Sequence, residues 1–193
     1  PNITDGTWQS GHTYLIQTKA QDSASPANVE TPSSGVTFSF DNTPPQSQVT
    51  APAPAPNNHY SNLGSVEGTA QDIHNPVAGV KISIFDQNTV KYFVEGNGFI
   101  STDVSTLTST AKDGAFDTLT ESWTYTNPAL IDPITGWQDG HTYLIKSWAS
   151  DNVNNIETPG AGRLMVFDKT KPLSTISVPA NDGHCLLYTS PSP

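Results

Sequence analysis

Basic residues and cysteine are scarce in this chain, and their scarcity removes several functions at once. Of 193 residues only 8 are Lys or Arg, against 18 Asp or Glu, giving a formal net charge of −10 at pH 7. Nucleic acid demands clustered cations to neutralise its phosphates, and no basic cluster exists. Anionic membrane surfaces are disfavoured for the same reason. No apolar run approaches the length of a membrane-spanning helix, so no membrane insertion is expected. A single cysteine, Cys185, cannot form a disulfide framework within the chain. Catalytic motifs are missing as well. There is no Gly-rich phosphate loop with Lys-Ser/Thr, no G-x-S-x-G elbow and no paired-histidine metal motif. Ser109-Thr110-Ala111-Lys112 spells S-x-x-K, but it sits in a Ser/Thr-rich stretch and lacks the helix and companion motifs of penicillin-recognising enzymes. No catalytic residue is expected, and the chain is not read as an enzyme.

What the chain does contain is repetition. Trp8-Gln9-Ser10-Gly11-His12-Thr13-Tyr14-Leu15-Ile16 returns as Trp137-Gln138-Asp139-Gly140-His141-Thr142-Tyr143-Leu144-Ile145, displaced by 129 positions. Asn28-Val29-Glu30-Thr31-Pro32 then matches Asn155-Ile156-Glu157-Thr158-Pro159, and Asp41-Asn42-Thr43 matches Asp168-Lys169-Thr170, displaced by 127. A long fixed period means an array of similar units. It divides the chain into the C-terminal part of one module at 1–43, a complete module at 44–171 and the start of another at 172–184. The chain is therefore expected to be a fragment of something longer.

The repeated segments alternate with period two. In the stretch from Tyr143 to Ala149, residues Tyr143, Ile145, Ser147 and Ala149 face one way, while Leu144, Lys146 and Trp148 face the other. Tyr14, Ile16, Thr18 and Ala20 occupy the first face in the other copy, which makes it the expected core face. Val36 to Phe40 alternates as cleanly, and Arg163 to Phe167 does so with Arg163 in an inward slot. Further strands are expected at 62–70, 80–84, 91–95, 99–102 and 122–126, with a hairpin turn at Gly96-Asn97-Gly98. Seven or so short strands with turn signals between them, and no capped helical window, predict an all-β antiparallel sandwich. Thr43-Pro44-Pro45 and the alternating Ala51-Pro52-Ala53-Pro54-Ala55-Pro56 are expected to make the junction between modules short and stiff, because proline fixes φ.

Asp139-Gly140-His141-Thr142-Tyr143, followed by Ala149-Ser150-Asp151 and Asn155-Ile156-Glu157, resembles the hallmark run of bacterial immunoglobulin-like repeats. Gly64 to Asp72 and Gly79 to Ile84 are similar to that family's second and third strands. The resemblance covers essentially all of 1–184, although 86–120 is longer than a minimal sandwich needs. It implies immunoglobulin-like β-sandwich modules in tandem, with Tyr14 and Tyr143 as corner tyrosines whose hydroxyls tie down a neighbouring turn. The final Cys185 to Pro193 continues no module and is similar to a translated transposase sequencing adaptor. On that reading the natural portion has no cysteine and no thiol nucleophile.

Calcium is the one cofactor the residues argue for. Asp151, Asn152, Asn154, Asn155 and Glu157 place five oxygen-bearing side chains in seven residues of a loop, and Asp41, Glu67, Asp72 and Asp168 come near if modules stack end to end. The alternative is that Asp and Asn serve there as turn formers. Trp148, on the outward face, is a candidate contact for a glycan or protein, with Trp137, Trp123, Tyr92 and Phe85 as possible companions on one surface. The chain is expected to act as a stalk or spacer, with adhesive contacts, in an extracellular or bacterial cell-surface protein. Its partners are then neighbouring modules of the same chain and a host or cell-surface protein or glycan. The alternative is a carbohydrate- or protein-binding accessory module of a secreted enzyme.

Overall fold

The computed structural model describes residues 8–177, and those residues are β-structured with no α-helix. Cys185, the adaptor-like tail at 185–193 and residues 178–184 of the expected further module lie outside the described residues. Strands β1 (His12–Ile16) and β2 (Val36–Phe40) pair antiparallel as a two-stranded ribbon. There follow β3 (Gln46–Ala51), β4 (His59–Tyr60), β5 (Ser65–Gln71), β6 (Val77–Asp86), β7 (Lys91–Val94), β8 (Gly98–Ser101), β9 (Leu107–Thr108), β10 (Thr110–Ala111), β11 (Thr120–Thr126), β12 (Thr142–Asp151) and β13 (Arg163–Phe167). One sheet has the order β10-β11-β5-β3. The other runs β4-β13-β12-β6-β7-β8, with β9 also on β6. Every pairing is antiparallel except that of β13 with the short β4.

The two larger sheets face each other, and period-two alternation decides what lies between them. Along β12, Tyr143, Ile145, Ser147, Ala149 and Asp151 are buried while the residues between them are half-exposed. Val66 and Ala70 of β5, Ile82 and Ile84 of β6, and Trp123 and Tyr125 of β11 complete the interior with Met165 and Phe167. Trp123 is 0 % exposed and Trp137 only 3 %, so both belong to the core and not to an outer aromatic surface. The indole of Trp123 occupies the space over Gly68 on the paired strand, where any side chain would collide with the ring and with the Gln48 carbonyl. At the open edge Arg163 does point across, donating from Nε and Nη2 to the Val49 carbonyl of the opposite sheet.

The β1-β2 ribbon follows the same pairing logic with a different outcome. No second sheet covers it among the described residues, and Ile16 of its expected core face is 49 % exposed. The Ala-Pro run also sits elsewhere than expected. Ala51 ends β3, and Pro52 to Pro56 form a loop at the far end of the sandwich, where Ala53 N–H donates to the Tyr60 hydroxyl. The junction between ribbon and sandwich is thus only 41–45, since β3 begins at Gln46. The long 86–120 stretch supplies β7 and β8, which extend one sheet, and the short β9 and β10. Their hairpin turns through glycines on both sides of Asn97, Gly96 (φ 76°) and Gly98 (φ 81°), which accept a backbone region costly to side-chained residues.

The repeat is three-dimensional as well as textual. The Tyr143 hydroxyl accepts from Gln138 N–H at 2.7 Å, and the Tyr14 hydroxyl accepts from Gln9 N–H at 2.8 Å. Trp137 stands edge-on to Tyr143 at 4.7 Å between ring centroids, and Trp8 to Tyr14 at 4.5 Å. Gly140 N–H donates to the Phe167 carbonyl as Gly11 N–H does to Phe40, both at 2.8 Å. Burial pushes the Tyr143 hydroxyl up to about 12, against the stabilising bond from Gln138, so it stays a neutral acceptor at any ordinary pH. Tyr143→Phe keeps the aromatic packing and strands one N–H. We expect it to lower stability by about 1 kcal/mol or more, read as a reduced denaturation midpoint in urea with an unchanged slope.

Candidate functional site

Three strand ends converge where the ribbon meets the sandwich. Asp41 follows β2 directly, Asp72 follows β5, and Asp151 is the last residue of β12. Each is fixed by a turn built on its own carboxylate. Asp151 Oδ1 accepts from Val153 N–H (2.9 Å) and Asn155 N–H (2.8 Å), and its Oδ2 from the Asn155 amide at 2.8 Å. Asp72 Oδ1 accepts from His74 N–H (2.7 Å) and Asn75 N–H (2.9 Å). Asp41 Oδ1 accepts from Thr43 N–H and the Ser10 hydroxyl, and its Oδ2 from the Asn75 amide. Short acids next to turns satisfy loop N–H groups that no ladder reaches.

These turns bring the three carboxylates together. One ligand oxygen from each lies within 4.8 Å of those of the other two. Asp72 and Asp151 are 3 % and 2 % exposed. Carboxylates gathered this closely repel one another wherever they carry charge together, so a cation between them is favoured. The ion pairs among the described residues, Lys112–Glu67 and His141–Asp86, lie elsewhere. Burial opposes ionisation of Asp41, but the hydrogen bonds from Asn75, Thr43 and Ser10, with His74 nearby, hold its carboxyl below the ordinary 3.8.

The same cluster fastens ribbon to sandwich. Asn75 and Asn155, both in loops of the sandwich, donate from their amides to the Asp41 carboxylate and to the Asp41 carbonyl. The loop carrying Asp72 is held from its other side by 118–119, through Asp72 N–H to the Leu119 carbonyl and Val77 N–H to Thr118. Glu121 holds that segment in turn: its buried Oε1 accepts from Asp117 N–H, Thr118 N–H and the Thr118 hydroxyl.

Of the expected calcium ligands, Asp151 stands in the cluster and Asn155 touches both it and Asp41. Asn152 is exposed with its N–H on the Pro76 carbonyl, and Asn154 adopts a positive φ of 67°. Glu157 is committed elsewhere: its Oε2 accepts from Ser47 N–H and Ala149 N–H, joining β3 to β12. Glu67 pairs with Lys112, and Asp168 accepts from Thr170 N–H beyond β13. Asp41 and Asp72 do meet Asp151. Their signal was positional, each being the acid that follows a strand at the same end of the sheets. Trp148 is half-buried on the outer face, paired across strands with Lys81, while Phe85 and Tyr92 contact each other further along, at 4.7 Å between centroids.

No protein-family model matches the chain, and no curated protein matches it in sequence. The internal repeat and the geometry of this junction therefore carry the functional reading.

The Glu121 carboxylate gives a pH prediction. Burial raises its pKa, yet the bonds from Thr118 and Asp117 together outweigh burial and leave it below 4.5. A depressed carboxyl stabilises the fold fully above its unfolded pKa, and that contribution fades as pH falls through the folded value. Glu121→Gln should cost about 1 kcal/mol at pH 7. In urea denaturation the gap between wild type and variant should close as the pH is taken below about 4.

Proposed function

We propose that this chain is a run of immunoglobulin-like β-sandwich modules serving as a non-catalytic stalk or spacer of an extracellular bacterial protein. The observation that carries this reading is where the chain enters and leaves the sandwich. It enters at Gln46, paired with Gln71 beside Asp72, and leaves at Phe167, beside the start of β12. Entry and exit are separated by the ten residues of β12, about 30 Å of extended chain. Units threaded in this way stack end to end. The same residues follow both exits, Asp41-Asn42-Thr43 and Asp168-Lys169-Thr170, and both acids accept from the N–H two residues on. A junction of a few residues, pinned by amides from the next unit, suits a semi-rigid rod better than beads on a flexible linker.

A second reading, an accessory module that binds glycan or protein, draws on the outer face of the larger sheet. Leu164, Leu144, Phe85 and Tyr92 are cross-strand neighbours in one row there, and Trp148 lies further along β12. Exposed apolar rows of this kind mark interfaces more generally than sugar sites.

Two measurements separate these readings. Pulled between its termini, a spacer unfolds as one cooperative event; residues 46–167 release about 40 nm of chain. Gradual extension at low force would argue against a load-bearing role. On a glycan array the spacer reading expects no saturable binding. Saturable binding that Trp148→Ala abolishes would replace it with the accessory-module reading.

A further inference from the structure

We propose that Asp41, Asp72 and Asp151 bind one calcium ion at the junction, which clamps the ribbon to the sandwich. This site stands on its own geometry, whether or not the spacer reading holds.

The first argument is an unused buried oxygen. Asp72 Oδ1 takes both N–H groups of its turn, while Oδ2 is enclosed and receives no hydrogen bond. A desolvated carboxylate oxygen without a donor is costly unless a cation meets it. Donors do lie close by, because Asn75 and Asn155 are neighbours of the cluster. Their amides go to Asp41 and Asp151.

The second argument is distance. Two oxygens bound to one calcium at 2.3–2.6 Å stand at most about 5 Å apart. The three carboxylates satisfy that limit together, with ligand atoms within 4.8 Å of one another. A half-turn of the Asn75 and Asn155 amides would present oxygen where nitrogen now points, adding two neutral donors. Three carboxylates and two amide oxygens approach the six to eight oxygens that calcium takes, and waters can supply the rest. An all-oxygen set without thiolate or imidazole disfavours zinc.

The third argument is the repeat. Asp22 stands where Asp151 does and carries the same latch, with its carboxylate accepting from Ala24 N–H, Asn28 N–H and the Asn28 amide. Asp168 stands where Asp41 does. Two of the three positions thus recur in the other copy. The arrangement needs one acid from the unit that ends and two from the unit that begins. Binding therefore joins the two across 41–45, and loss of the ion would free the ribbon without opening the sandwich.

Calorimetric titration of the full chain, stripped with EDTA, tests this. One calcium per chain should bind with a dissociation constant on the order of 10⁻⁴ M or tighter, and calcium should raise the melting temperature by several degrees over EDTA. Asp72→Asn should weaken calcium at least tenfold, and so should Asp41→Asn, which serves if the first variant does not fold. Asp168→Asn, at the other end of the sandwich, should leave binding unchanged. Absence of binding heat and of any melting shift up to about 10 mM calcium would overturn the proposal. Wild-type affinity in Asp72→Asn or Asp41→Asn would overturn the ligand set, and equal affinity for magnesium the choice of ion.

Discussion

Buried carboxylates that accept backbone N–H groups hold this fold's loops in place. Asp72, Asp86, Asp151 and Glu121 are each at most 3 % exposed, and each takes two or more hydrogen bonds from a loop next to it. A chain without a disulfide or an α-helix among its described residues has many turns and few ladders to satisfy them. An uncompensated buried charge would be ruinous, but a carboxylate that accepts several N–H bonds is stabilised and fixes its loop in one geometry. Glu157 extends the device across the sandwich. Its single oxygen serves both β3 and β12, so β3 cannot leave the body without giving up the bond from Ser47 N–H.

This explains which parts of the structure were legible in the sequence. Alternation along Tyr143 to Ala149 gave the core face of β12 correctly, because both sides of that strand are paired and its register leaves no choice. The turn at Gly140 was legible for a different reason, since the chain contains it twice, and the corner role of Tyr143 was expected only from the resemblance to immunoglobulin-like repeats. Other elements carried no such signal. β3 was not among the expected strands: it lies between the two proline segments read as the junction, and Gln46-Ser47-Gln48 carries no apolar alternation. Only Val49 of that strand is fully buried, so edge position and hydrogen bonding define it more than hydrophobicity does. The Ala-Pro run misled for the same reason, since proline stiffness says nothing about which end of a sandwich a loop occupies. Trp123 was considered for an outer surface although Trp137, its companion in that suggestion, recurs with Trp8. What buries Trp123 is Gly68 on the neighbouring strand, and a missing side chain leaves no mark in hydrophobic periodicity.

The loop at Asp151 to Glu157 shows how one acidic run divides its labour. A count of oxygens treats its five polar residues alike. The backbone separates them: Asp151 and Asn155 face the junction, Glu157 turns to the sheets, and Asn152 and Asn154 stay in the exposed turn. Most of the run does what turn-forming residues ordinarily do. The cluster at the junction arises because Asp151 shares its end of the sandwich with two acids from distant sequence, and only tertiary structure places residues 41, 72 and 151 side by side.

That convergence has a consequence for mechanics. Asp86 and Asp151 are buried acids with both oxygens matched by donors, including the His141 ring on Asp86. Asp72 breaks the pattern, with one oxygen matched and one not. The mismatch lies where the ribbon meets the sandwich, in the cluster that brings Asp41 against Asp72 and Asp151. Amides from Asn75 and Asn155 go to Asp41 and Asp151, and Asp72 Oδ2 is left without a donor. The seating of the ribbon on the sandwich thus rests on polar contacts around Asp41, which proline content alone does not reveal. Pro44 and Pro45 restrict the path of the chain, while the amides of Asn75 and Asn155 tie Asp41, at the end of the ribbon, to the loops of the sandwich.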